Sequence, residues 1–305
     1  MHVYLLRRLA ATLGTLWLVI TLTFVALRVL PGDVVREQLM TSGASEAQIA
    51  ERRAELGLDQ PILAQYAALL VGLLHGDPGR SIVSGRRVTD ILLEQIGPTL
   101  VLAGGALIVA LIMGIGLGLT ASGANRLIST AALVLITLIL SAPVYWMATV
   151  AIYVFSVALK LLPSAGGGDL RSLLLPWLSL GLSLAGGIAR VTLTSIDETR
   201  MADFVRTARS KGLSEGQVLR DHVLRANLGP LVSVIALQSG FLIGGTAITE
   251  IVFVRPGLGQ VLLNAILSRD YPVVQALVLM GAFSYSAVHF AADALLAVLD
   301  PRVRD

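Results

Sequence analysis

The sequence contains no cysteine, which excludes disulfide bonds and thiolate metal sites but does not indicate a redox compartment. Charge is scarce as well. Asp, Glu, Lys and Arg make up 14% of the 305 residues, whereas soluble domains carry about a quarter. Since 55% of the residues are hydrophobic, we expect most of the chain to lie in an apolar environment and not in water. The formal net charge is only +3, so a nucleic-acid partner is not expected.

Two kinds of catalytic chemistry also lack their motifs. The pattern G-x-x-x-x-G-K-[ST], which binds nucleotide phosphates, is absent from the sequence. The histidines are too scattered for a recognisable metal motif; they are His2, His75, His222 and His289. We therefore predict that the chain is not an enzyme, holds no metal or cofactor, and does not hydrolyse ATP itself.

Long apolar stretches are what the sequence does contain. A bilayer core of about 30 Å requires roughly 20 apolar residues in a helix, and six stretches qualify: 9–30, 98–121, 127–159, 173–189, 231–251 and 272–299. The first follows a basic start, as in a signal peptide, but no small-residue cleavage pattern follows it, so we interpret it as an uncleaved transmembrane helix. Pro143 lies inside the third stretch and predicts a kink there.

Basic residues in the short flanks predict the orientation of these stretches. With the N-terminus inside, the inner segments hold Arg7, Arg8 and Arg126, two C-terminal arginines, and seven basic residues in the segment 190–225. The short outer loops hold fewer: Lys160, Arg171, Arg255 and Arg269. We therefore expect both termini in the cytoplasm and the long loop 31–97 outside.

The loop 31–97 predicts two short helices. Ser45 and Gln48 have the spacing of a capping box ahead of the first, and Gly57 can end it. Pro61 opens a second apolar run that is too short to span a bilayer. We interpret this second helix as packed against the outer face of the membrane domain, with a re-entrant segment as the alternative.

Glycines four residues apart occur in two of the apolar stretches. Gly114 and Gly118 lie in the second stretch, and Gly240 and Gly244 lie in the fifth. Small residues at this spacing let helices approach closely in a membrane. Both pairs therefore predict helix packing.

Ionisable residues near the spans have more than one interpretation. Glu250 either shapes the exit of a pathway or holds the outer loop, or else it snorkels or caps the next turn. Asp293 and His289 lie four residues apart on one face of the sixth stretch, which fits either a proton-coupled pair or packing near the cytoplasmic end. We take Pro143, Glu250 and Asp293 as candidates for pathway or packing residues, and expect Arg190 at the inner end of the fourth stretch.

A basic, polar stretch, RTARSKGLSEGQVLRDHVLRANLGP at 206–230, interrupts the apolar chain. Two short helices fit it. One runs from about Asp197 to Lys211 and stops at Gly212, and the other follows Ser214, which has capping-box spacing to Gln217. This pair would present an apolar ridge with a basic rim. In the second helix, the apolar residues would form a stripe of Val218, Leu219, His222, Val223 and Ala226. It would either lie on lipid headgroups or dock onto a cytoplasmic protein, and the residues alone leave both open.

The same stretch resembles the coupling loop, or "EAA" loop, of binding-protein-dependent ABC importer permeases. It is most similar to the dipeptide, oligopeptide and nickel permease family, of the first-permease type with a long outer loop, in which R-T-A-R-x-K-G-L is typical. Gly229 stands where that family usually has leucine, and Pro78 stands where an aromatic or aliphatic residue is commoner. Further matching segments follow in order along nearly the whole chain: LRVLPGD, LGLDQPILAQY, HGDPGRS, SAPVYW, LLPSAG, GGTAITEIVFVRPGLGQVLLNAILSRDYPVVQ and DPRVR.

The resemblance implies an all-α membrane protein with six transmembrane helices and the ABC importer type I transmembrane fold, in the bacterial inner (plasma) membrane. Residues 1–30 would form the first helix and 31–97 an extracytoplasmic loop. Residues 98–299 would form a core of five helices that includes the coupling loop 190–230, ahead of a tail at 300–305.

The resemblance also implies partners. These are a second homologous permease subunit, two ATPase subunits that use ATP and magnesium, an extracytoplasmic solute-binding protein and the lipid bilayer. The residues expected to couple the chain to an ATPase are Phe204, Val205, Arg206, Thr207, Ala208, Arg209, Lys211 and Gly212. Among them, Phe204, Val205 and Ala208 would form the docking ridge, and Arg206, Arg209 and Lys211 would orient it electrostatically.

The expected function is to form the translocation pathway for dipeptides or oligopeptides delivered by the solute-binding protein. The same machinery importing nickel or another metal chelate is the alternative, and family members also handle glutathione. A proton-coupled secondary transporter using Asp293 and His289 is the alternative of another class, and a purely structural membrane scaffold is a third.

Overall fold

The computed structural model describes residues 2–29, 36, 45–166 and 169–299. Nearly all of these residues are helical, and the one strand-like pairing among them is an isolated bridge between Arg80 and Arg87. Two π-helical segments cover Ile152–Ala158 and Leu219–Val223. The α-helices are α1 (His2–Val29), α2 (Glu46–Glu55), α3 (Ile62–Leu74), α4 (Val88–Ala121), α5 (Arg126–Ser141), α6 (Val144–Ala151), α7 (Arg171–Arg200), α8 (Asp203–Ser210), α9 (Glu215–Val218), α10 (Leu224–Ala226), α11 (Leu228–Val252), α12 (Leu258–Leu267) and α13 (Tyr271–Leu299).

Five of the described helices are long and apolar enough to cross a membrane, namely α1, α4, α7, α11 and α13. A sixth span exists if α5 and the segment Val144–Ala158 are counted as one. These helices lie on the six apolar stretches predicted from the sequence, so the all-α, multi-span fold class is confirmed. The predicted side of the membrane for either terminus stays a prediction.

The third stretch is broken rather than kinked. Helix α5 ends at Ser141, α6 begins at Val144, and the two are bent by 107°. Pro143 has no backbone N–H, and a residue before proline avoids the helical conformation. Ala142 is accordingly extended, with ψ at 125°. The kink predicted at Pro143 is therefore a full break of the helix, at the position that the proline indicated.

One predicted helix boundary is also wrong, and a second helix is longer than the stretch predicted for it. Helix α7 continues past Arg190 to Arg200, so Arg190 is an exposed position within it, and its place at the inner end of the fourth span stays a prediction. The helix predicted from Asp197 to Lys211 is interrupted at Met201 and Ala202, and only Asp203–Ser210 forms α8. Neither proline nor glycine marks this break, which is why the local sequence signals did not locate it.

The chain divides into two compact units. The first, called the core unit here, comprises Thr99–Pro256 and the chain from Tyr285 onward; the second, the flank unit, comprises His2–Pro98 and Gly257–Ser284. Helix α7 is the most buried of the long helices in the core unit, with 67% of its apolar window inside. Its neighbours in that unit are α5, α6 and α11 as well as the later part of α4.

Glycines set the distance between α4 and α7. A Cβ on Gly114 would lie 3.0 Å from the carbonyl oxygen of Ala185, and one on Gly118 would lie 2.9 Å from that of Ala189. Such distances leave room only for hydrogen, so the two backbones approach as the glycine spacing predicts. The packing prediction for this pair is confirmed.

The second glycine pair is confirmed at one of its two positions. A Cβ on Gly240 would lie 2.5 Å from the Tyr285 ring, so this glycine is needed for packing. Gly244 has open space around it, and it is the neighbouring Gly245 that meets Leu180 of α7. The helix α11 therefore packs through Gly240 and Gly245 rather than through the predicted pair.

The flank unit carries the two short helices predicted for the outer loop. Gln48 Oε1 accepts a hydrogen bond from the backbone N of Ser45 at 2.8 Å, and the backbone N of Gln48 donates to Ser45 Oγ at 3.4 Å. The capping box is therefore confirmed. Gly57 has φ +64°, a left-handed conformation suited to the end of α2.

Asp270 fixes a loop of the flank unit to the start of α13. This carboxylate is only 4% exposed, and it accepts hydrogen bonds from Ser81 Oγ and from the backbone N of Ile82, the latter at 3.0 Å. The backbone N of Ser84 donates to Ser81 Oγ at 2.8 Å, which closes the loop on itself. A single buried carboxylate thus satisfies donors that are far away in sequence.

We expect Asp270→Ala to lower the free energy of unfolding by roughly 3 kcal/mol, because it leaves the Ile82 N–H and the Ser81 hydroxyl buried without an acceptor. The midpoint of thermal unfolding in detergent measures this change. Asp59→Ala, which removes an exposed carboxylate of the same unit, is the matched control and should leave the midpoint unchanged. Equal midpoints for the two variants would contradict the role assigned to Asp270.

Candidate coupling elbow and pathway groove

The polar interruption forms a compact helical elbow, which we define as residues 203–226 and which comprises α8, α9, the second π segment and α10. Gly212, with φ +81°, makes the turn after α8. The predicted capping box then starts α9, since Gln217 Oε1 accepts from the backbone N of Ser214 at 3.0 Å and Gln217 N donates to Ser214 Oγ at 3.4 Å. Local sequence signals therefore account for both the turn and the second helix.

A dry cluster holds the elbow to the end of α7. Val205 is fully buried, and Ala208 is nearly so. Both lie in one hydrophobic cluster with Ile196 of α7 and with Val218 and Val223 from the second half of the elbow. The cluster joins the two halves of the elbow and anchors them to the preceding transmembrane helix.

The predicted docking ridge is corrected by this burial. Val205 and Ala208 were expected to present an outward ridge together with Phe204, but their side chains face the cluster inside the chain. Phe204 is the exception, because its side chain is 49% exposed. An aromatic side chain left half in solvent on a short polar helix is the apolar feature of α8 available to a partner.

The apolar stripe predicted for the second half of the elbow is also shifted. Val218 and Val223 are buried, while His222 is half-buried and Ala226 is exposed. The chain winds as a π-helix over Leu219–Val223. The wider turn moves later side chains off the face that an α-helical period assigns to them.

The basic residues of the elbow have different partners. Arg209 Nε donates to Glu215 Oε1 at 2.7 Å, and Arg209 Nη2 donates to Glu215 Oε2 at 3.1 Å. This hydrogen-bonded pair raises the pKa of Arg209 and lowers the pKa of Glu215. Arg209 therefore bridges the two halves of the elbow and is not a free orienting charge. Arg206, 3.7 Å from Asp203 Oδ1, and Lys211 are exposed.

Both ends of the elbow are held by polar contacts within the core unit. Arg200, the last residue of α7, donates from Nη1 to the carbonyl oxygen of Ser122. Thr199 Oγ1 donates to Oδ1 of Asn227, the buried residue that precedes α11, at 3.1 Å. The elbow is thus attached at its start and at its finish to long helices.

A second feature of the core unit is a groove between α7 and α11, with a volume of about 640 Å³. We call it the pathway groove. Gln238 Nε2 crosses from α11 to donate to the carbonyl oxygen of Leu184 on α7 at 2.7 Å. The side-chain amide of Gln238 fits only because residue 187 is a glycine, since a Cβ on Gly187 would lie 2.4 Å from Gln238 Nε2. Besides Gln238, the lining of the groove includes Ser183, Gly187, Gly244, Phe241 and Ile248.

The pathway groove does not contain the three pathway candidates predicted from the sequence. Pro143 lies exposed at the break between α5 and α6, beside but not in the groove. Glu250 is only 1% exposed, and its Oε1 accepts from Thr99 Oγ1 at 2.6 Å. Of the interpretations considered for Glu250, snorkelling is therefore wrong, and its contacts favour a packing role. Asp293 is half-buried on α13 and is also not among the lining residues.

His289 does not form the proton-coupled pair considered for Asp293. Its Nδ1 lies 3.0 Å from the carbonyl oxygen of Tyr285, and its ring lies 4.0 Å from the Tyr285 ring between centroids. Within the described part of the chain, His289 makes no hydrogen bond or ion pair with Asp293. The secondary-transporter alternative therefore has no support in the structure.

Arg255 is a structural residue that the sequence analysis did not single out. It is 5% exposed and donates from Nη1 to the carbonyl oxygen of Gly166 at 2.7 Å and to Ser172 Oγ at 3.2 Å. Burial lowers the pKa of Arg255, and the nearby charge of Glu250 opposes that shift. Its place in the segment VRPGLG was visible in the sequence, but its partners are more than 80 positions away along the chain.

Comparison with known proteins adds to this geometry. A family described as "Binding-protein-dependent transport system inner membrane component" matches residues 110–305, and its N-terminal counterpart, "Binding-prot-dependent transport system membrane comp, N-term", matches residues 1–103. Among curated relatives, the "Glutathione transport system permease protein GsiC" of Salmonella choleraesuis (strain SC-B67) is 37% identical over 303 residues, covering 99% of this chain and 98% of the relative. The protein of that name from Escherichia coli (strain K12) is 36% identical over the same length.

A solved structure shares the fold. A chain of the MetNI methionine ABC transporter, in inward-facing conformations, superposes with a TM-score of 0.60 at 18% identity, covering 70% of this chain and 97% of that one. At that identity, the likeness supports the fold alone. Together with the family match over most of the sequence, it confirms the resemblance drawn from the coupling loop. The chain belongs to the family of binding-protein-dependent transport system inner membrane components: it is a multi-pass permease subunit of an ABC importer, and ATP hydrolysis takes place in separate subunits.

Proposed function

We propose that the chain forms one half of the translocation pathway of an ATP-driven importer for glutathione-type or peptide substrates. The observation that carries this proposal is the 37% identity, over 99% of the chain, to a permease protein of a glutathione transport system. A second, homologous permease subunit would supply the other half of the pathway. An extracytoplasmic solute-binding protein would deliver the substrate.

The chemistry of the pathway groove supports this role. Gln238 and Ser183 can exchange hydrogen bonds with peptide groups, and Phe241, which is largely exposed, offers apolar contact. None of the groove's lining residues is charged. Such a wall would bind a zwitterionic peptide weakly, because it provides no ion pair for either terminus, and weak binding favours passage over retention. Selection of the substrate would then rest largely on the separate binding protein.

The elbow would couple the pathway to ATP. Phe204 would insert into a recess on an ATPase subunit on the cytoplasmic side, while Arg206 and Lys211 would orient the contact. ATP and magnesium act in that partner. A ligand shifts a conformational equilibrium only by its difference in affinity for the two states. The ATPase must therefore contact the elbow more favourably in one state of the permease than in the other.

Transport by the reconstituted assembly tests the proposal. The chain is co-purified with its ATPase and permease partners in proteoliposomes, the binding protein is added, and uptake of labelled glutathione, a dipeptide and a nickel chelate is followed with and without ATP. We expect uptake of glutathione or the peptide to require both ATP and the binding protein. Uptake of the nickel chelate alone, or uptake driven by a pH gradient without ATP, would contradict it.

A further inference from the structure

The flank unit contains a polar chamber next to an apolar groove. The chamber has a volume of about 440 Å³, and its polar lining includes Arg28, Gln65, Asp77 and Arg80. The groove has a volume of about 660 Å³, and its walls are almost wholly apolar. We call them the headgroup chamber and the acyl groove. The acyl groove is lined chiefly by Leu13, Trp17, Leu73, Leu279, Met280 and Phe283.

The chamber and the groove are continuous. A narrow cavity of about 10 Å³ lies between them. Leu69, Pro272 and Gln275 line both this neck and the chamber, while Ile20 and Leu279 line both the neck and the groove. Pro78 lines all three cavities. A polar compartment and an apolar one therefore meet across a thin neck, as the two ends of an amphiphile do.

Arg28 is the residue in the chamber whose hydrogen-bond donors indicate a bound ligand. It stands in the last turn of α1 and is half-buried. Its guanidinium lies 5.2 Å from the centroid of the Phe24 ring and 5.6 Å from that of Tyr271. Among the described residues, it donates no hydrogen bond and makes no ion pair. Arg has five N–H donors and favours bidentate contacts with phosphate or carboxylate, so an anion would supply the acceptors that the protein does not.

The chamber also contains negative charge. Asp77 Oδ1 accepts a hydrogen bond from the backbone N of Gly79 at 3.0 Å, and Glu55 is a second acidic lining residue. Arg80, which donates from Nη1 to the carbonyl oxygen of Gly85 at 3.2 Å, balances them on the basic side. Because the chamber presents two cations and two carboxylates, it matches a headgroup with both charges better than a purely anionic one.

The acyl groove is exposed and apolar in a protein that spans a membrane. Leu13, Trp17 and Phe283 each have more than half of their side-chain surface uncovered. In a bilayer, that surface meets hydrocarbon chains. A chain held in the groove would remain attached to a headgroup held in the chamber, so the two contacts would reinforce each other.

We propose that the flank unit binds one glycerophospholipid with a phosphate and a primary ammonium in its headgroup, of the phosphatidylethanolamine type. The phosphate pairs with Arg28 and Arg80, the ammonium faces Asp77 and Glu55, and one acyl chain lies in the acyl groove.

Native mass spectrometry of the full-length protein in mild detergent tests the headgroup. Phosphatidylethanolamine, phosphatidylglycerol and phosphatidylcholine with identical acyl chains are titrated separately. We expect one tightly bound phosphatidylethanolamine per chain, with affinity at least tenfold weaker in Arg28→Gln and unchanged in Arg87→Gln. Arg87 is an exposed arginine of the same unit that lines neither cavity, so it controls for the lost charge. Equal binding by both variants, or equal binding of all three lipids, would overturn the proposal.

Trp17 provides a second measurement that does not depend on a stable Arg28 variant. The tryptophan fluorescence of the Trp17→Phe variant is subtracted from that of the unaltered protein, which leaves the fluorescence of Trp17. Phosphatidylethanolamine brominated on its acyl chains should quench this fluorescence more than equally brominated phosphatidylcholine does. Glycerophosphoethanolamine, which has the headgroup but no acyl chains, should not relieve the quenching at equal concentration. Equal quenching by both brominated lipids would show ordinary solvation by the bilayer and would contradict the proposal. Relief of the quenching by glycerophosphoethanolamine would show that the acyl groove does not contribute to binding.

Discussion

Replacing Phe204 by Asp is expected to reduce ATP-driven uptake by at least about tenfold, because an aromatic anchor at the centre of an interface commonly contributes 2 kcal/mol or more to binding. The protein should still fold, since this side chain is 49% exposed and lies outside the cluster that holds the elbow together. Uptake into proteoliposomes, ATPase activity and the amount of ATPase subunit that co-purifies are measured together. The expected pattern is weaker co-purification and weaker uptake, with an unchanged midpoint of thermal unfolding.

Two matched variants serve as controls for the Phe204→Asp substitution. Ser210→Asp places the same charge on another exposed position of α8, and it should leave uptake close to that of the unaltered protein. Phe204→Leu keeps an apolar side chain and should retain most of the activity. If Phe204→Asp transports normally, the assignment of the docking surface is wrong. Lost uptake with normal co-purification of the ATPase would instead favour an elbow that rests on lipid headgroups.

Replacing Gly118 by Val is expected to lower the free energy of unfolding by about 3 kcal/mol or more, which is the upper range for forcing extra atoms into a packed interior. A Cβ there would lie 2.9 Å from the backbone oxygen of Ala189 and 2.6 Å from Thr192 Cβ. A backbone oxygen cannot rotate away as a flexible side chain can. Helices α4 and α7 would have to separate, and α7 is the centre of the core unit.

The same helix offers the control for this substitution. Gly116 is two residues away, and a Cβ there would meet nothing within 4 Å. Gly116→Val makes the same change in helix propensity and hydrophobicity, so it should leave the midpoint of thermal unfolding in detergent nearly unchanged. Similar losses for both variants would mean that the cost arises in the isolated helix and not in its contact with α7.

The parts of the fold that were predicted correctly depend on neighbours in sequence. The capping boxes at Ser45 and Ser214 each need a side chain three residues ahead, and both are present as expected. Long apolar runs identify the spans because a bilayer fixes the length of helix required. Gly114 and Gly118 were informative because their spacing places both on one face of a helix.

The errors come from features that a regular period does not show. The π-helical winding of Leu219–Val223 displaces the apolar stripe of the elbow. The break at Met201 and Ala202 separates two helices without a proline or a glycine to mark it. Val205 and Ala208 look like an exposed ridge when α8 is considered alone, and they are buried because the second half of the elbow folds back on them.

The candidate functional surfaces also differ in whether they could be predicted from neighbouring residues in the sequence. The coupling segment was found from its local motif, whereas the pathway groove depends on the contact of Gln238 with Leu184, 54 positions away. The pairing of Arg255 with Gly166 is equally distant in sequence. A single sequence carries no signal for such contacts, since neither residue type nor periodicity indicates which remote carbonyl accepts the bond.

The unbroken length of α7 has a mechanical consequence. Its 30 residues make a rod about 45 Å long at 1.5 Å per residue. The cluster around Ile196 holds the elbow at one end of this rod, while Gly181 and Gly187 lie on either side of its midpoint, against α4 and α11 respectively. We expect a sideways displacement of the elbow to tilt the whole rod about these glycine contacts. The two ends of the rod would then move in opposite directions, and one stroke by an ATPase would narrow one end of the proposed pathway while it widens the other.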